Sequence, residues 1–140
     1  MEPVSAEAAP EAAPNILIVD DSATMRAMIK RVAALAGVPV GTIFEAANGQ
    51  EALGVLDRHP VQFVFTDINM PVMTGTELLR AMQDREEWRD VVRIVISTDG
   101  SDSRRMEAAD LNVRMYVEKP FRPEVMRDVL SNLTPAPAGR

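Results

Sequence analysis

Five polar side chains stand just beyond the C-terminal ends of strand-like apolar runs. Asp20 and Asp21 follow Ile16-Leu17-Ile18-Val19, Asp67 follows Phe63-Val64-Phe65, Ser97 follows Ile94-Val95-Ile96, and Lys119 follows Tyr116-Val117. In an open α/β sheet that edge is where ligands bind. Three carboxylates, a hydroxyl and a lysine converging there predict a pocket for a divalent metal and a phosphoryl group, because both are held by hard oxygens and fixed positive charge.

Such a pocket needs a cation. Two carboxylates roughly 4 Å apart repel by about 4 kcal/mol at an effective dielectric near 20. Magnesium meets the need, since it takes oxygen ligands, keeps several waters, and commonly joins one or two carboxylates to a phosphate. An aspartate beside bound magnesium can attack a phosphoryl group to give an aspartyl-phosphate, while Lys119 and the Ser97 hydroxyl bind the phosphoryl oxygens. The sequence holds no GxxxxGK[ST] loop, so the expected donor is another protein or a small phosphodonor and not bound ATP.

Strand and helix signals alternate along the chain. Ile16 to Val19 (β1) precede a 3.6-period stripe of Met25, Met28, Ile29, Val32 and Leu35 (α1), which stops at Gly37, a residue suited to a left-handed helix end. Thr42 to Ala46 reads as a strand (β2), and Asn48-Gly49 opens a helix carrying Ala52, Leu53, Val55 and Leu56 (α2) that ends before Pro60. Val61 to Thr66 is the third strand (β3); the loop DINMPVMTG, Asp67 to Gly75, leads to a helix with Leu78, Leu79 and Met82 on one face (α3). Val91 to Ile96 (β4), Asp102 to Leu111 (α4), Arg114 to Glu118 (β5) and Pro123 to Leu133 (α5) complete the set. Strands β1, β3 and β4 read as continuously apolar, as strands covered on both faces should. The prediction is a doubly wound α/β domain: a five-stranded parallel sheet of flavodoxin-like order 2-1-3-4-5 with five helices, placing β1 beside β3 and so Asp20 and Asp21 beside Asp67.

The composition narrows the possibilities. With 140 residues the chain has room for one core and no separate output module. No apolar run approaches the length needed to span a membrane, and the N-terminus lacks a basic region followed by an apolar one, so a cytoplasmic location without membrane insertion is expected. The absence of cysteine removes disulfides, thiolate metal sites and cysteine nucleophiles. A formal charge of −6 argues against nucleic acid as a partner. Residues 1–14 and 134–140, rich in Ala, Pro and Glu or in Pro and Ala, are expected as a disordered leader and tail around a folded unit of residues 15–133. The nine methionines read as core filler, His59 as a solvated cation at a helix end, and Trp88 as a partly buried anchor before β4.

The motifs VDDSATMR (Val19 to Arg26), TDINMPVMTG (Thr66 to Gly75), VIS (Val95 to Ser97) and YVEKPF (Tyr116 to Phe121) resemble, in order and separation, the receiver domain of two-component response regulators, of the single-domain chemotaxis (CheY-like) type. Members of that family are themselves examples of the 2-1-3-4-5 order, so topology and resemblance are not independent. The resemblance implies that Asp67 is the phosphoacceptor and that Asp20, Asp21, Asp67 and the Asn69 carbonyl bind Mg2+. It further implies that Lys119 contacts the phosphoryl group, that Ser97 and Tyr116 are the switch pair, and that Lys119-Pro120 is cis. The implied partners are a histidine kinase as donor and an effector or phosphatase protein on the face formed by α4, β5 and α5. A monomer is the expected state, with phosphorylation-induced dimerisation as the second reading.

Phosphorylation would add about −1.5 to −2 charges at Asp67 and draw in the Ser97 hydroxyl, letting Tyr116 rotate inward. Asn69 and Asp99, small and polar at the two positions that tune lifetime in similar proteins, imply comparatively fast autodephosphorylation. Thr98 stands where a smaller residue is usual, and Asn112 where glycine is common. The output face, with Asp102, Arg104, Arg105, Asp110, Arg127 and Asn132, departs from the lysine-rich face of flagellar-motor-binding members. A phosphatase of the haloacid-dehalogenase type would need an acid two residues after its nucleophile, and Asp67 is followed by Ile68 and Asn69. The expectation is therefore no enzyme beyond self-phosphorylation and autodephosphorylation at Asp67, with a phosphate sink or phosphorelay intermediate as a biochemically equivalent role.

Overall fold

A computed structural model of the chain describes residues 13–132. Five strands, β1 (Ile16–Val19), β2 (Ile43–Ala46), β3 (Phe63–Thr66), β4 (Val92–Ser97) and β5 (Met115–Glu118), alternate with five helices, α1 (Ala23–Leu35), α2 (Gly49–Arg58), α3 (Gly75–Gln83), α4 (Asp102–Asp110) and α5 (Pro123–Asn132). The strands form one parallel sheet in the order β2-β1-β3-β4-β5, the expected 2-1-3-4-5. The leader and tail lie outside the described residues except for Ala13 and Pro14. The Pro14 carbonyl accepts from the Gly41 amide at 2.7 Å, which ties Pro14 to the fold.

Alternation along each strand divides the core in two. Leu17, Val19, Val64 and Val95 pack with Ala52, Leu56, Leu78, Leu79, Met82 and Ala108 beneath α2, α3 and α4. Ile16, Ile18, Phe63, Phe65, Ile94 and Ile96 face Ile29 and Ala33 of α1 and Met126, Val129 and Leu130 of α5. Each fully buried aliphatic or aromatic side chain contributes about 1.5–3 kcal/mol relative to exposure, so these layers fix the sheet edge to which the polar residues are attached.

Several boundaries differ from the periodicity by one or two residues, for local reasons. Gln62 and Phe63 both donate their amides to the Asn15 carbonyl, at 3.0 and 3.2 Å, so β3 begins at Phe63 and not at Val61. The Thr42 amide is taken by the Asn15 side chain at 2.8 Å, which starts β2 one residue later than expected. Ser97 lies inside β4, paired with Glu118, and not beyond its end.

Strand β4 is not continuously apolar. Arg93 is among the largest fully buried side chains; its guanidinium donates to the Trp88 carbonyl at 2.8 Å and to Gln83 Oε1 at 3.2 Å, while its Nε is unpartnered. Burial pulls its pKa below the ordinary arginine value. Trp88, in a 3-10 turn of Glu86–Trp88, is buried and not just partly so, with the Arg85 guanidinium 4.1 Å from its ring centroid.

The stripe assigned to α1 is also corrected. Ile29 and Ala33 are buried, but Met28 is 51% and Leu35 65% exposed, because the side of α1 packed into the core is the one that carries Ile29 and Ala33. His59, at the α2 C-terminus, is exposed and stacks on Phe44 with centroids 4.5 Å apart, a contact that charge reasoning at a helix end does not reveal. Asn112 has φ 67°, the left-handed conformation expected there, and Gly37 has φ 77° just after α1.

Val72 occupies a strained position. It has φ 68°, it is 74% exposed, and the Met73 amide donates to the Pro71 carbonyl at 2.7 Å to close a three-residue turn around it. A β-branched side chain in the left-handed region costs about 1–2 kcal/mol, whereas asparagine visits it readily. Val72→Asn is expected to stabilise the protein by about 1 kcal/mol, read as a higher urea midpoint at unchanged slope; an unchanged or lower midpoint would show that the turn carries no such strain.

Candidate functional site

The strand ends deliver the acidic residues by backbone hydrogen bonds. Asp20 N donates to Ala46 O at 3.0 Å and Asp67 N to Val19 O at 2.9 Å, continuing the β2-β1-β3 ladder one residue past its formal end. Lys119 N donates to Ser97 O at 2.9 Å, which sets the lysine beside β4. The next residues then divide the work. Ser22 caps α1 by accepting from the Met25 amide at 3.1 Å, and its own amide donates to Asp20 Oδ1 at 2.9 Å. Ser22 therefore serves the helix while Asp20 is left to face the pocket.

Lys119 Nζ sits between two carboxylates, 2.9 Å from Asp20 Oδ2 and 3.1 Å from Asp67 Oδ2. The second Asp67 oxygen accepts from the Ile68 amide at 2.7 Å, and the Thr66 hydroxyl donates to the Asp67 carbonyl at 2.8 Å. Asp20 is buried, Asp67 half-buried and Asp21 exposed, and one oxygen from each lies within 4.8 Å of the others. Burial lowers the Lys119 pKa, but hydrogen bonding to Asp20 and the charge of Asp67 outweigh it, and the ammonium is held above its usual range.

Three carboxylates face one ammonium, and two charges 4.8 Å apart still repel by about 3.5 kcal/mol at an effective dielectric near 20. This all-oxygen, partly exposed, under-neutralised set fits a hard divalent cation that keeps some of its water. Asp20, Asp21 and Asp67 would hold it. Asn69, the fourth expected ligand, is exposed two residues after Asp67 at the start of the loop.

The remaining expected residues lie on the β4–β5 side. Ser97 is fully buried, and its Oγ accepts from the Asp99 amide at 3.1 Å. Tyr116, half-buried, donates its phenol to the Asp99 carbonyl. Burial, the largest influence, pushes the Tyr116 phenol above its ordinary value. Both members of the expected switch pair thus hold the backbone of one residue, Asp99, whose carboxylate is turned to the Ser101 amide at 3.1 Å and to Arg104 at 3.5 Å. The Lys119-Pro120 bond is cis. Thr98 is exposed and lines an apolar groove of about 250 Å³ with Met25, Met28, Lys119, Pro120 and Phe121.

Two contributors were not singled out from sequence. Arg26 donates to the Asp20 carbonyl at 2.6 Å and to Glu45 at 2.9 Å, bracing the Asp20 backbone; its place six residues after Asp20 in VDDSATMR was the available signal. Gly75 is the other. A Cβ there would lie 1.9 Å from the Asp67 carbonyl oxygen and 2.9 Å from its carbon, and the Gly75 amide donates to Ile68 O at 2.8 Å. The start of α3 is thereby seated directly on the backbone of Asp67.

The family model described as the response regulator receiver domain matches residues 16–131. A chemotaxis protein CheY homolog of Campylobacter jejuni is 33% identical over 120 residues, which cover 85% of this chain and 91% of the relative. The chemotaxis protein CheY of Pseudomonas aeruginosa is 36% identical over 119 residues, covering 85% and 94%. Among solved structures, Vibrio cholerae chemotaxis protein CheY4 superposes with a TM-score of 0.77 at 29% identity, over 86% of this chain and 98% of that one.

Proposed function

The chain belongs to the response regulator receiver domain family, and from that premise we propose that it is a phosphorylation switch of chemotaxis-like signalling that accepts a phosphoryl group on Asp67. The observation that carries the reading is the Lys119 ammonium bound to both Asp20 and Asp67, at 2.9 and 3.1 Å, in a site with two more carboxylates than cations. A histidine kinase is the proposed donor: an Asp67 oxygen attacks phosphorus, the bond from phosphorus to the kinase imidazole breaks, and the imidazole keeps the electron pair. Mg2+ bound by Asp20, Asp21, Asp67 and the Asn69 carbonyl would supply charge neutralisation for the incoming phosphoryl oxygens.

Lys119 shares that task from the protein side. The phosphoryl group brings about −1.5 to −2 charges and strong acceptor oxygens to Asp67, and the buried Ser97 hydroxyl is the one uncharged side-chain donor on β4. Drawing Ser97 Oγ toward the phosphoryl group gives up its contact with the Asp99 amide, and Asp99 is also what Tyr116 holds. The two states therefore differ in the β4–α4 loop and Tyr116, and a partner docking on α4, β5 and α5 reads that difference. No helix among the described residues is long and apolar enough to cross a membrane. The proposal extends from the family's signalling role to a cytoplasmic monomer acting through protein contacts, with no catalytic turnover beyond loss of its own phosphoryl group.

The test is incubation with magnesium and acetyl phosphate, read by intact mass. One phosphoryl group added to the wild type, none to Asp67→Asn, and no sustained hydrolysis of phosphomonoesters is the expected pattern. Uptake by the Asp67→Asn protein, no uptake by the wild type, or sustained hydrolysis of phosphomonoesters would contradict it.

A further inference from the structure

Tyr116 is the sole tyrosine of the chain, and it is gripped from two sides. Its phenol donates to the Asp99 carbonyl, and the Arg105 guanidinium of α4 lies 4.8 Å from its ring centroid. That guanidinium is itself pinned: Nε donates to the Gly100 carbonyl at 3.2 Å, and a terminal nitrogen donates to Glu118 Oε1 at 3.3 Å. Glu118 reaches this place because residue 100 has no side chain; a Cβ there would come within 2.4 Å of the Glu118 carboxyl carbon. Glu118 is also the Cα partner of Ser97 across the β4–β5 ladder, so the latch is built on the strand position that carries the buried hydroxyl.

A cation over an aromatic face is attracted by the ring quadrupole. A guanidinium already fixed through its fork loses little further freedom in making that contact. Arg104, its neighbour on the helix, points elsewhere, to Glu107 at 3.0 Å and Asp99 at 3.5 Å, as the angular step between consecutive helical residues requires.

We propose that Arg105 is a positioning residue of the switch: held by Gly100 and Glu118, it keeps the Tyr116 ring on the β4–α4 loop and weights the state in which the phenol is bound to Asp99 before any phosphoryl group arrives. The inference rests on the reading of Tyr116 as the output side chain of a phosphorylated Asp67, but the contact itself needs no phosphoryl group. Because the Arg105 and Glu118 side chains are 41% and 55% exposed, the bias is modest. An exposed cation–π contact corresponds to a change of about two- to fivefold in the ratio of the two states, the range in which a switch stays reversible.

The single tyrosine makes the test direct. With 3-fluorotyrosine incorporated, the one fluorine resonance reports Tyr116, recorded first without phosphodonor. In Arg105→Ala it is expected to move toward free fluorotyrosine, with the ratio of Asp99-bound to released ring falling about two- to fivefold. Glu118→Gln should move it in the same direction by less, Arg105→Lys should restore part of the shift, and Met106→Ala, 69% exposed on the same helix, should leave it in place. An unmoved resonance in both Arg105→Ala and Glu118→Gln overturns the proposal, and so does an equal displacement by Met106→Ala, which would make the effect one of α4 as a whole. Adding beryllofluoride and magnesium tests the parent reading separately: a wild-type resonance that ignores them would sink the coupling of Asp67 to Tyr116, whereas the latch stands or falls on the spectra taken without them.

Discussion

Gly75→Ala is expected to cost about 3 kcal/mol of stability and to disable the acceptor at the same time. The added Cβ would meet the Asp67 carbonyl oxygen at 1.9 Å, the Asp67 carbonyl carbon at 2.9 Å and Ile68 Cα at 3.0 Å. All three are backbone atoms and cannot swing aside as a side-chain tip could. Relief requires either α3 to lift from the sheet, exposing Leu78, Leu79 and Met82, or the Asp67 backbone to retreat and lose its amide bond to Val19 O. A control lies in the same chain. At Gly54, inside α2, a new Cβ would find its nearest neighbour at 3.5 Å in the Arg58 guanidinium, so Gly54→Ala should gain about 0.5–1 kcal/mol from helix propensity alone. Urea unfolding of the two variants checks the contrast; a Gly75→Ala midpoint within error of the wild type would show that α3 is not seated on Asp67.

Lys119→Ala is expected to produce the second large effect. Removing the ammonium leaves Asp20, 2% exposed, and Asp67 facing each other and Asp21 with no bound cation. Breaking a buried ion pair from one side costs about 3–5 kcal/mol, since the surviving charge keeps its desolvation penalty; the lower figure applies here, because Asp67 is half-buried and Asp21 exposed. The variant should therefore lose about 3 kcal/mol in the presence of a chelator. Magnesium should restore more stability to it than to the wild type, because ligand binding to the native state stabilises by mass action and the variant's carboxylates lack an internal competitor. Equal magnesium-induced gains in the two proteins would show that Lys119 does not neutralise the site.

The contrast between what these residues announce in the sequence and what they conceal has a physical basis. Asp20 and Asp67 are legible because each follows an apolar run that only a covered parallel strand would carry, Lys119 follows the edge strand β5, in which only Val117 is buried, and strand order then brings the strand ends together. Ser22 and Thr74 cap α1 and α3 through local contacts, each accepting from a backbone amide three residues on. Arg93 is not legible. Its burial depends on Trp88 and Gln83 arriving from the preceding turn and helix, so a charged residue sits at the second position of β4 where the pattern predicts apolar packing. Met28 and Leu35 satisfy helical periodicity, yet the periodicity is met equally well by the stripe of Ile29 and Ala33 that packs on α5. Gly75 and Arg105 act through approaches of less than 5 Å to residues eight and eleven positions away in sequence, and no window of residue types encodes such a distance.

The most direct measurement is the amide spectrum of the protein titrated with beryllofluoride and magnesium, alongside Asp67→Asn. Shifts at Asp67 that extend through Ser97 and Asp99 to Tyr116 and along α4, all absent from the Asp67→Asn protein, are the predicted result. Shifts that stop at Asp20, Asp21 and Asp67, leaving Ser97 and Tyr116 unmoved, would contradict the account: the site would then bind its ligands without switching the face that a partner reads.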